Sequence, residues 1–94
     1  MASYRLLIKP SAVKELDSLP AKDRKRIVAK LQALAADPRP PGSEKLSAQE
    51  KYRIRQGDYR MLYSVQDEDS TVVVVRIAHR RSIADRTVRA SEST

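Results

Sequence analysis

Apolar and polar residues alternate at the start of the chain. Tyr4, Leu6 and Ile8 are set against Ser3, Arg5 and Lys9, with Leu7 the one interruption. A period of two is that of a half-buried strand. Pro10 closes it, because proline has no N–H for a ladder. The period then lengthens. Ser11 suits the N-cap of a short helix running to about Leu19, with Val13, Leu16 and Leu19 on one face. Pro20 breaks that helix and can open another. From Ala21 to about Ala36 the apolar set is Ile27, Val28, Leu31, Leu34 and Ala35, the stripe of an amphipathic helix. Its other face carries Lys22, Arg24, Lys25, Arg26 and Lys30. Two such helices pack most simply as a hairpin on a sheet.

Residues 37–50 read as loop, since Pro38, Pro40, Pro41 and Gly42 exclude continued helix. The period of two then returns. Tyr52 and Ile54 alternate with Arg53 and Arg55 over 51–56. Gln56, Gly57 and Asp58 make a tight turn, with Gly57 the positive-φ residue. Tyr59, Met61, Tyr63 and Val65 alternate with Arg60, Leu62, Ser64 and Gln66 over 59–66. After a polar turn at 67–70, the valine-dense run 71–79 reads as a central strand covered on both faces over part of its length. Residues 84–94 form a polar tail. The chain holds no repeat, no low-complexity tract and no linker, and 94 residues suit one domain. The expectation is a single α+β domain over 1–94, with its core at about 3–83 and the order β-α-α-β-β-β.

Strand alternation has a chemical consequence. With Ile54, Met61, Tyr63 and Val65 turned to the helices, Arg53, Arg55 and Arg60 share the other face. On the last strand, Val73, Val75 and Ile77 would face the helices, and Arg76 would join the open face with Val72 and Val74. Arg80 continues that parity. Side-by-side arginines repel one another. A bound anion resolves the repulsion, and the planar guanidinium fork suits phosphate.

Charge and composition agree. The net charge is +7, and the windows 51–60 and 76–89 alone account for that figure. A basic domain of this size suits a polyanion. With four tyrosines and neither Phe nor Trp, it offers no base-stacking platform. Phosphate contacts must carry the binding. The absence of cysteine excludes disulfides and thiolate metal sites, and a single histidine leaves no ligand set for zinc. No cofactor is expected. No apolar run approaches the roughly 20 residues of a membrane span, and the first residues are too short in apolar content for a signal peptide. A cytoplasmic location is expected.

Residues 52–65, YRIRQGDYRMLYSV, followed by residues 72–81, VVVVRIAHRR, resemble the RelE/ParE superfamily of toxins from prokaryotic toxin–antitoxin pairs. Tyr4-Arg5-Leu6, Ala12, Glu15-Leu16, Leu19-Pro20, residues 34–42 and Lys45-Leu46 extend the resemblance over about residues 3–86. It implies the helix pair on one face of a mostly antiparallel four-stranded sheet. For the RelE branch it also implies cleavage of mRNA in the ribosomal A site, without metal, through the RNA's own 2′-hydroxyl. The family's basic strand pair then corresponds to Arg53 and Arg55, its post-hairpin arginine to Arg60, and its strand-end basic residue to Arg80, with His79 beside it. Lys51, Arg76 and Arg81 would hold neighbouring phosphates.

The pattern departs from the family at two places. The strand pair is often lysine there, and many relatives carry a tyrosine where this chain has Ala84. Arginine releases no proton in proteins. His79, the one side chain with an ordinary pKa near neutrality, is therefore a further catalytic candidate, although alternation turns it to the helices. A ParE-like toxin that binds DNA gyrase, and an inactive homologue, are the alternatives. The resemblance also implies a small acidic antitoxin, RelB-like or similar. It would wrap the helix pair, cover Arg81, Arg86 and Arg89, and link the toxin to operator DNA only as a complex.

Overall fold

The computed structural model describes residues 3–46 and 50–79. In chain order they form β1 (Arg5–Ile8), α1 (Pro10–Asp17), α2 (Ala21–Ala36), β2 (Glu44–Lys45), β3 (Lys51–Gln56), β4 (Tyr59–Gln66) and β5 (Thr71–His79). The sheet runs β1-β5-β4-β3-β2. β1 pairs with β5 in parallel, and the other neighbours pair antiparallel. Both helices cover one face. The core joins Ala12 and Leu16 of α1 and Ile27, Leu31 and Leu34 of α2 to Ile54, Met61, Tyr63, Val74 and Ile77 of the sheet. Truncating a fully buried leucine such as Leu34 to alanine costs about 2–5 kcal/mol, a large share of a small domain's stability.

The α+β class, the helix pair and all four expected strands lie where the sequence pattern puts them. Four details differ. The sheet has a fifth strand, β2, within the stretch read as loop. It is two residues long, too short to show a period, and it exists because Glu44 and Lys45 pair with Arg53 and Tyr52. Pro10 opens α1 at its first turn, so Ser11 lies inside the helix and no side chain caps it. α1 also ends at Asp17, short of Leu19. Its buried face is Ala12 and Leu16, with Leu19 partly buried beyond its end, while Val13 is 39% exposed. The small Ala12 side chain permits close packing on β5.

The fourth difference is in β5. Tyr63 pairs with Val74 but Leu62 pairs with Arg76, so Val75 is an extra residue, a β-bulge. The phase of the strand changes there. Val72 and Val74 are the fully buried residues, not Val73 and Val75, and Ile77 returns to the core beyond the bulge. Arg76 keeps the open-face parity.

Candidate nucleic-acid interface

The β3–β4 hairpin builds the site. Gly57, at φ 61°, turns the chain in the left-handed region that L side chains avoid. The turn fixes the register, so Arg55 stands opposite Arg60 and Arg53 opposite Leu62. Both arginine positions of β3 and the first arginine of β4 therefore face away from the helices. They line a pocket of about 230 Å³ with Gly42 and Glu44. Arg53 donates to Glu44 Oε1 at 3.1 Å. The Nε atoms of Arg53 and Arg60 are buried and have no hydrogen-bond partner. A buried unsatisfied donor costs about 1–3 kcal/mol, which an acceptor entering the pocket would relieve. Three guanidiniums against one carboxylate leave the pocket net positive. Its chemistry is that of an oxyanion receptor with one group able to accept a proton.

Glu44 and Gly42 escape sequence reasoning because residues 37–50 carry no period. The one signal available is an acid nine residues before Arg53. What holds their segment in place is a polar hub around Arg39. Its Nε donates to the Tyr52 hydroxyl at 2.7 Å, and its Nη2 donates to Asp67 Oδ2 at 2.8 Å and to the Glu50 carboxylate. Tyr4 donates to Asp67 at 2.7 Å, and Lys45 pairs with Glu50 at 2.7 Å. The hub grips the proline-rich segment at Arg39 and β2 at Lys45. Lys45, Arg39 and Tyr52 hold the Glu50 carboxyl down to about 2. Arg39 and then Tyr4 hold Asp67 to about 2. Beneath the hub, the Tyr52 and Tyr63 rings stack at 5.6 Å, and Tyr63 donates to the Pro38 carbonyl at 2.8 Å. Burial pushes the Tyr63 phenol up.

The other candidate residues are dispersed. Lys51 shares the open face with Arg53, but stands beside an apolar hollow lined by Leu46, Leu62 and Val75. Arg76 pairs through Nε with Glu15 Oε2 at 3.1 Å, and Glu15 Oε1 accepts from the Ile77 N–H at 2.8 Å. That carboxylate thus closes β5 where β1 has ended. His79 pairs with Tyr59 on the helix side of the sheet, ring edge against ring face at 5.8 Å, across the sheet from the arginine pocket. Arg80, Arg81, Arg86 and Arg89 lie outside the described residues, as does Ala84.

The family model described as the ParE toxin of the type II toxin–antitoxin system parDE matches residues 6–84. Toxin RelG of Mycobacterium tuberculosis is 47% identical over 32 residues, which span 34% of this chain and 37% of that protein's length. Among solved structures, the RelBE2 toxin–antitoxin complex of Mycobacterium tuberculosis matches with a TM-score of 0.75 at 29% identity, over 85% of this chain and 94% of that one. The archaeal RelE–RelB complex of Pyrococcus horikoshii matches with a TM-score of 0.74 at 30% identity, over 83% and 96%.

Proposed function

The chain belongs to the ParE family of type II toxins within the RelE/ParE superfamily, and from that premise we propose that it is an endoribonuclease which cuts mRNA on the ribosome. The observation that carries the proposal is the pocket of Arg53, Arg55 and Arg60, with two buried guanidinium nitrogens lacking a partner. Inhibition of a protein target requires no such oxyanion receptor.

In this mechanism the scissile phosphate enters the pocket and accepts from Arg53 Nε and Arg60 Nε. Glu44 takes the proton of the neighbouring 2′-hydroxyl. The 2′-oxygen forms its bond to phosphorus as the bond to the 5′-oxygen breaks, and the departing 5′-oxygen takes a proton from solvent water, leaving a 2′,3′-cyclic phosphate and a 5′-hydroxyl. Charge gathers on the nonbridging oxygens during this step, and preorganised donors stabilise it most there. Arg55 supplies field and holds a flanking phosphate. The ribosome supplies the alignment of the 2′-oxygen. Lys51, Arg76, Arg80 and Arg81 extend the phosphate track. His79 stays a candidate only through its strand-end position beside Arg80.

A cognate antitoxin, RelB-like as in the matched complexes, holds the toxin idle in the cytoplasm. Arg81, Arg86 and Arg89 are among its contacts, and operator DNA is reached only through that complex. The ParE description of the matching family favours a second reading, a gyrase inhibitor without nuclease activity. Adding the protein to a translating extract and mapping mRNA ends separates the two. Codon-phased cuts establish the nuclease, whereas DNA breakage with intact mRNA establishes the second reading.

A further inference from the structure

The open face of the sheet carries a second depression, an apolar hollow of about 150 Å³. Leu62 of β4, Val75 at the bulge of β5 and Leu46, just past β2, form its walls, and Lys51 stands at its rim. Leu62 and Val75 are half-buried, and Leu46 is 38% exposed. The Leu46 N–H donates to the Lys51 carbonyl at 2.9 Å, which holds that segment against β3. Tyr52 and Tyr63 also line the hollow. Both belong to the core, so they turn to the helices and offer the hollow mainly their backbone. Their hydroxyls are engaged with Arg39, Glu50 and the Pro38 carbonyl. The bulge completes the hollow. It sets Val75 as well as Arg76 against Leu62, and so brings an apolar side chain where strict alternation would leave Arg76 alone.

The hollow adjoins the arginine pocket. Arg53 stands opposite Leu62, and Lys51 is two residues from Arg53 along β3, about 7 Å of strand. A sheet face turned to water is ordinarily polar, and the arginine half of this face obeys that rule. The walls of the hollow do not. An occupant that satisfies both halves has an anion at one end and a small apolar body at the other. Lys51 adds a donor for an acceptor on that body. The volume bounds the size, since an apolar cavity of about 150 Å³ takes a single six-membered ring.

We propose that the hollow seats the pyrimidine base of the nucleotide whose 3′-phosphate occupies the arginine pocket, which makes Leu46, Leu62 and Val75 specificity-determining residues. Uracil and cytosine are single rings with a keto oxygen for Lys51, whereas a purine has a second ring to place. Aliphatic walls here take the role that an aromatic platform has elsewhere. A protein segment fits less well. One residue supplies either an apolar side chain or an anion, while a nucleotide carries both on one ribose and loses less freedom on binding. That the nucleotide belongs to mRNA rests on the nuclease reading above. In that reading the same ribose bears the reacting 2′-hydroxyl, so seating the base also limits where the 2′-oxygen stands relative to Glu44.

The test is titration of the full chain with uridine 3′-monophosphate, adenosine 3′-monophosphate and inorganic phosphate, followed by amide chemical shifts. The uridine nucleotide should bind at least about 10-fold more tightly than phosphate, the scale of one small apolar group in a fitted pocket. It should shift the amides of Leu46, Leu62 and Val75, which phosphate leaves in place. The adenosine nucleotide should gain less. Leu46→Ser and Leu62→Ser should each remove most of the gain and keep the affinity for phosphate, which reports that fold and pocket survive. Should Leu62→Ser fail to fold, the exposed Leu46 still decides. Equal affinity for phosphate and the uridine nucleotide overturns the proposal. So does a gain that survives Leu46→Ser, or an adenosine nucleotide that binds as tightly as uridine. Tighter binding of a peptide of alternating glutamate and leucine at the same amides overturns it in favour of a protein. Base-dependent nucleotide binding with mRNA left intact in the translating extract removes the nuclease reading and keeps the nucleotide site. Phased mRNA cuts with binding indifferent to the base remove the role of the hollow alone.

Discussion

Replacing Arg60 by alanine should move stability and activity in opposite directions. Arg60 has a buried Nε without a partner and stands opposite Arg55 in the hairpin. It makes no ion pair with Asp58 or any other described acid. A buried donor without a protein partner costs about 1–3 kcal/mol. Like charges directly across a strand pair cost about 0.2–1 kcal/mol more. Loss of the packed aliphatic stem offsets part of this. The net is a gain of about 1 kcal/mol, which raises the melting temperature of a domain this size by about 4–8 °C. Cleavage runs the other way, because deleting one preorganised oxyanion donor lowers the rate about 10²–10³-fold. Arg60→Lys should recover only part, since lysine keeps the charge and loses the fork. Melting curves and single-turnover cleavage on ribosomes, measured on one preparation, decide the matter. A lowered melting temperature with an unchanged rate per folded molecule would show that Arg60 merely holds the hairpin, and the pocket mechanism would fall with it.

Glu44→Gln should abolish most cleavage while RNA binding is kept or tightened, because a negative charge leaves the pocket; equal loss of binding and rate would refute a proton-accepting role. Glu50 and Asp67 are held at about 2 when folded, below their ordinary values near 4, so their contribution is present above pH of about 4.5 and is lost as pH falls toward 2. Denaturant titrations from pH 6 to pH 2 should show that loss, and Glu50→Gln with Asp67→Asn should flatten it. Glu15→Ala removes the acceptor of the Ile77 N–H and should cost about 1–3 kcal/mol by denaturant titration, with faster amide exchange at Ile77 as its local signature.

The legible parts of the fold are those long enough to repeat. α2 shows its stripe over four turns, and the β3–β4 hairpin shows strict alternation around a glycine turn, so the three pocket arginines follow from parity alone. α1 is eight residues long, and Val13 and Ala12 offer two phases that hydrophobicity decides wrongly. In β5 the run of four valines carries no phase information, so the bulge at Val75 leaves no trace in the pattern. Glu44 and the Arg39 hub are tertiary facts. Arg39 meets Asp67, 28 residues away, and nothing local marks either as a partner.

The bulge also decides which changes of length this chain tolerates. β5 sets nine residues against eight of β4. Deleting any one residue from Val73 to Arg76 restores strict alternation, and a valine or isoleucine still falls on every core position of the strand. The same deletion in β3 or β4 flips the remaining side chains and drives an arginine under the helices, where an unpaired charge is not tolerated. A systematic scan of single-residue deletions should therefore find β5 permissive and β3 and β4 closed. Natural length variation in this lineage should collect at that one strand, where the chain already carries a spare residue.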